Sequence, residues 1–125
     1  MNYKTFLSLH SAIYSVFALV LFFLPTLVWP IYGLEINDKY AYFLSQHTSI
    51  FLGGLAAVSL FFRNIKDIEA IRQLIKALIA TNLLGVIITS YAGITGIFVG
   101  FGWSDPVFFA ALTVLGYLQL NKHSK

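Results

Sequence analysis

The sequence predicts an all-α integral membrane protein, a four-helix bundle with both termini on one side. Three observations carry that prediction. Apolar residues make up 58% of the 125 positions and charged residues only 10%, against about 25% charged in a soluble domain. Charge-free stretches cover 5–34, 40–62, 77–104 and 106–121, and roughly 20 such residues cross the hydrocarbon as a helix. Lys4, Arg63, Lys66, Arg72, Lys76, Lys122 and Lys125 fall on the side of the termini in a four-span arrangement, and Lys39 alone falls on the other. That asymmetry points to cytoplasmic termini. The expected spans are 5–29, 41–62, 72–93 and 105–120, forming one four-helix domain over 1–125.

The first span begins after Lys4. Its apolar run from Val16 to Trp29 meets Pro30 without a small-residue cleavage site, so it reads as a retained helix rather than a signal peptide. Pro30 and Gly33 close it, and residues 35–39 make the one strongly polar outer loop. The second span carries a ladder of small residues at four-residue spacing, Ser45, Ser49, Gly53 and Ala57. Such ladders let helix backbones approach closely in lipid. Asn64, with Asp67 three positions on, reads as the cap of the third helix. Ile65, Ile68, Ile71 and Ile75, interleaved with Lys66, Arg72 and Lys76, suggest an amphipathic start lying on anionic lipid. The third span then carries the second ladder, Ala77, Thr81, Gly85, Thr89 and Gly93.

Residues 94–103 are apolar and contain Gly96, Gly100 and Gly102. They are expected either to pack at the outer interface or to prolong the third helix before turning back. Ser104 or Asp105 ahead of Pro106 makes a good helix start. The fourth span, at 16 residues, reaches only about 24 Å. Trp29, Tyr32, Tyr40, Tyr42 and Trp103 form the expected outer aromatic belt.

No Asp, Glu, Lys or Arg lies deep in any span, which argues against a proton pump, a cation exchanger or a carboxylate hydrolase. The remaining polar candidates are His10, Tyr14, Gln46, His47, Asn82, Tyr91 and Tyr117. At 1.5 Å per residue from the nearest basic residue, His10 and Asn82 lie about 9 Å deep and Tyr117 about 8 Å. They are expected to form a polar layer in which His10 bonds to Asn82 or Tyr117, either as structural glue or as a ligand contact. Gln46 and His47 form a second candidate pair at the opposite side, near Glu35, Trp103 and Asp105. His10 and His47 differ by about 15 Å in depth, too far to sandwich one haem iron. The three or four convergent ligands of a metal site are not supplied, and no acid orients a histidine base inside the membrane. No cofactor and no nucleic acid partner are expected, and the chain has no cysteine.

Gly96, Gly102-Trp103 and Leu115-Gly116-Tyr117, with Gly53-Gly54 in the second span, resemble a group of small bacterial four-span proteins over residues 45–118. The resemblance implies this topology and a bacterial inner membrane, without an activity. Three functional readings follow. The first is a structural or interaction protein, either a homo-oligomer or an accessory subunit of a larger membrane complex. The second is a binding protein for an apolar ligand such as a lipid, quinone or pigment. The third is a small oligomeric channel or transporter.

Overall fold

A computed structural model describes residues 1–122, and one of the seven basic residues on the side of the termini, Lys125, lies outside them. Among the described residues there are helices and no strand. They are α1 (Tyr3–Phe23), α2 (Pro25–Val28), α3 (Lys39–Phe62), α4 (Ile68–Ile94) and α5 (Ser104–Lys122), with 3-10 turns at Trp29–Tyr32 and Gly100–Trp103. Four helical segments, Tyr3–Phe23, Lys39–Phe62, Ile68–Ile94 and Gly100–Lys122, are long and apolar enough to cross a membrane. The chain is therefore a four-helix membrane bundle. One end, here the terminal end, holds both termini, and Lys122 Nζ donates to the Met1 carbonyl there at 2.9 Å.

The first span is shorter than expected. A single helix over 5–29 would pass through Pro25, which has no N–H and whose ring collides with the carbonyl four residues back. α1 therefore ends at Phe23, Leu24 leaves helical geometry (φ −128°, ψ 40°), and Pro25 opens the short α2. The carbonyl that loses its partner is Leu21 O. Ser45 Oγ of α3 donates to it at 2.8 Å, and Gln46 Nε2 reaches Phe22 O at 3.4 Å.

The third helix starts at Ile68, and its cap is Asp67 rather than Asn64. The Asp67 carboxylate accepts from the N–H groups of Glu69 and Ala70 at 3.0 and 3.2 Å. The isoleucine-rich start divides between two environments. Ile71 and Ile75 are buried against Tyr3, Phe6 and Leu7, whereas Ile68 stays exposed. Arg72 donates to Leu120 O at 2.9 Å, closing the last turn of α5, where a cation suits the helix dipole.

α1 packs along α3 and α4 along α5, while α3 and α4 scarcely meet. The seams do not follow the four-residue ladders. On α3 the buried line is Ser45, Ser49, Ala56 and Ser59, and on α4 it is Ile71, Ile75, Leu78, Asn82, Gly85, Thr89 and Ala92. Steps alternate between four and three (on α3 with half-buried Leu52 between Ser49 and Ala56), the 3.5-residue period of left-handed helix packing. A strict four-residue step drifts 40° per rung, which carries Gly53 and Ala57 to the edge of the α3 seam and leaves Ala77 exposed and Thr81 half-buried on α4. Where the period agrees, the small residues admit aromatic rings. A Cβ on Gly85 would lie 2.6 Å from the Phe109 ring, and one on Gly93 2.6 Å from Trp103. Gly85 and Gly93 thus serve contacts within one chain.

At the distal end two loops dock on each other. Gly33 adopts φ +99°, and Val99 N–H donates to Tyr32 O at 3.0 Å beside it. A Cβ at Gly33 would meet the Val99 side chain at 2.5 Å. Residues 95–103 do not prolong α4, which ends at Ile94; Phe98 turns inward to be buried with Tyr32 and Ala92.

Candidate functional site

Three fully buried polar side chains from three helices meet in the terminal half of the bundle: His10 on α1, Ser59 on α3 and Asn82 on α4. Asn82 Nδ2 bonds to the Leu78 carbonyl at 3.0 Å and to His10 Nε2 at 3.0 Å. A carbonyl can only accept, so the amide nitrogen is the donor and His10 Nε2 must accept. The ring is therefore neutral with its proton on Nδ1, which faces Ser59 Oγ at 3.5 Å. Tyr14, one turn along α1, donates to Asn82 Oδ1 at 2.5 Å and stacks on the His10 ring with centroids 4.3 Å apart. Nearby, Ser11 Oγ donates to Ala56 O at 2.8 Å. In lipid each of these groups needs a partner inside the protein.

The geometry brings His10 and Asn82 together as the depth estimate expects, but Tyr117 is absent from the layer. It is 61% exposed on the outer face of α5, because the inward positions of that helix are Leu112, Gly116 and Gln119. Tyr14 and Ser59 take its place. The four-residue relation of Tyr14 to His10 could have found the first, and the 3.5-residue seam from Ser45 the second. Gln46 is spent on the Phe22 carbonyl. His47 points outward, its ring 5.8 Å from Phe43 and 5.4 Å from Phe51 on its own helix; it takes no part in a site with Gln46 or Asp105. Ser59, His10 and Asn82 resemble a nucleophile, base and orienter by residue type alone. An orienting group must accept the ring N–H, whereas Asn82 donates to the ring. Among the described residues no group of three or more His, Cys, Asp or Glu could hold a metal ion.

Above Tyr14, in the distal half, lies a cavity of about 330 Å³ between the α1/α3 pair and the α4/α5 pair. Tyr14 forms its floor. Its walls include Phe17, Leu52, Thr89, Phe108 and Phe109, and Trp29, Phe98 and Asp105 border its upper end. The break at Pro25 sets this upper end in place. Ser45, fixed on Leu21 O, accepts from Trp29 Nε1 at 2.8 Å. Trp29 and Phe98 each pack against Tyr32, with centroids 5.8 and 5.6 Å apart. The Tyr32 hydroxyl lies beside the Asp105 side chain. Burial, and then the neighbouring carboxylate, push that hydroxyl from its ordinary value of 10.0 up to about 12, so Tyr32 serves as a neutral donor.

The chain matches no protein-family model, no curated protein and no solved structure. The site's chemistry therefore rests on its own geometry. The docked loops lie at its distal end and the His10 layer at its terminal end. Of the lining residues, Thr48 on α3 and Ile88 on α4 are exposed on the bundle's outer surface, where α3 and α4 stand apart, and Phe108 of α5, edge-on to Phe17 of α1, is exposed on another side.

Proposed function

We propose that this protein binds one apolar molecule inside the membrane, taken up sideways between α3 and α4 and held above Tyr14. The observation that carries the reading is the cavity. At about 330 Å³ it falls within the usual range of small-molecule sites, roughly 300–1,000 Å³, and such sites are mostly apolar with a few placed polar groups. Asp105 and the Tyr14 oxygen, which can still accept, are those groups here, the Trp29 N–H being taken by Ser45. Leu52→Trp would fill the space from the α3 wall. Native mass spectrometry of protein extracted gently from its own membranes tests the reading. One stoichiometric small molecule in the wild type, and none in the Leu52→Trp variant, is the expected result. A bare chain in both would refute it.

Association with another copy or with a larger membrane complex is a second reading, favoured by one observation. Gly54 on α3 has open space around it, and Ala77 and Ala80 on α4 are exposed, so a close-packing partner could use them. A chain that elutes with such a partner and without a small molecule would select it. In either case we place the bundle in a bacterial inner membrane with cytoplasmic termini. Lys4, Arg63, Lys66, Arg72, Lys76 and Lys122 near the terminal end, with Lys39 alone at the other, support that orientation. The resemblance over residues 45–118 supports the membrane.

A further inference from the structure

Resting on the binding reading above, we propose that the cavity takes a lipophilic monocation, its positive group held by the Asp105 carboxylate within a ring of aromatic side chains. Asp105 is the only acidic residue lining the cavity. Among the described residues no basic side chain pairs with it, and the lone distal cation, Lys39, lies over the Tyr40 ring at 5.3 Å. The start of α5 stabilises a carboxylate through the helix dipole but supplies no counter-charge. The neighbouring Tyr32 hydroxyl has one proton to donate, which cannot use up the accepting capacity of a carboxylate.

Around the acid stand Trp29 and Phe98, with Phe17, Phe108, Phe109 and Tyr14 further along the lining. Aromatic faces attract cations, and desolvated quaternary ammonium groups are held by such rings. A neutral apolar molecule would use the rings and leave the half-buried acid without a counter-charge. A cation with an apolar tail uses both. An anion would face the carboxylate across a medium of low dielectric and is disfavoured.

The test uses the full chain in lipid nanodiscs and two probes of equal shape. One is 4-phenylbutyl-trimethylammonium; the other is its uncharged analogue with carbon in place of nitrogen. Binding is measured per chain after subtracting partition into empty discs, and affinities are expressed against probe concentration in the lipid. The expected result is one site per chain, with the cation about ten-fold tighter than its analogue. Asp105→Asn should abolish that preference, and circular dichroism in the same discs shows whether the variant is folded. If the unaltered protein binds both probes equally, or the neutral one more tightly, the cation inference is overturned while the binding reading stands. If neither probe binds above empty discs, the inference fails, and native mass spectrometry of the extracted protein separately decides the binding reading. The preference of the unaltered protein decides the matter even if the Asp105→Asn variant does not fold.

Discussion

Replacing Asn82 with leucine, close in size and apolar, removes the one residue that touches both His10 and Tyr14. Three hydrogen bonds go at once: one accepted from Tyr14 and two donated, to His10 Nε2 and Leu78 O. Interhelical hydrogen bonds in membrane proteins average only about 0.6 kcal/mol, so the lost bonds alone would cost about 1–2 kcal/mol. The larger cost comes from what is left behind, since a buried group without a partner costs about 1–3 kcal/mol, and here both the His10 ring nitrogen and the Tyr14 hydroxyl would be stranded. Asn82→Leu should therefore destabilise by about 3–8 kcal/mol. Adding His10→Phe and Tyr14→Phe removes the stranded groups, and the triple variant should recover to within about 2 kcal/mol of wild type. Equilibrium unfolding in mixed micelles of rising sodium dodecyl sulfate measures both. If the triple variant is no more stable than Asn82→Leu alone, the cost lies in packing and the reasoning is refuted.

Three further outcomes can be checked. Ser45→Ala should cost about 1–2 kcal/mol in the wild type and clearly less beside Pro25→Ala, where the Leu21 carbonyl can regain a helical partner; a double-mutant cycle by thermal unfolding reads the difference. Gly85→Ala drives a methyl into the Phe109 ring and should destabilise by about 1–3 kcal/mol. Gly54→Ala meets nothing and should be neutral or stabilising by up to about 1 kcal/mol, so equal effects from the two would contradict the packing described. Tyr32 binds its proton more tightly folded than unfolded, so the stability it contributes is complete below pH 10 and is lost as pH rises towards about 12. Unfolding followed over that window should show a decline that is shallower in Tyr32→Phe.

The four spans were legible from hydropathy because the bilayer imposes a length and a polarity on each of them. Depth counting was enough to pair His10 with Asn82, since helices crossing one slab share a ruler. It could not pair His10 with Tyr117, because depth says nothing of azimuth and α5 turns that tyrosine to the lipid. The same loss of angle misplaced half of each small-residue ladder. Pro25 was visible but its effect was not: the break matters through the carbonyl it frees and the serine 20 residues away that answers it. The cavity had no sequence signal at all, being space that α3 and α4 decline to fill.

The gap between α3 and α4 bears on how the proposed binding would be measured. A molecule that enters by that gap is already dissolved in the bilayer, and its chance of arrival then follows its mole fraction in lipid rather than its concentration in water. Apparent affinities quoted against aqueous concentration would rise with the oil–water partition coefficient alone, even among molecules the pocket holds equally well. On the proposed route the membrane would do much of the selection before any side chain is met.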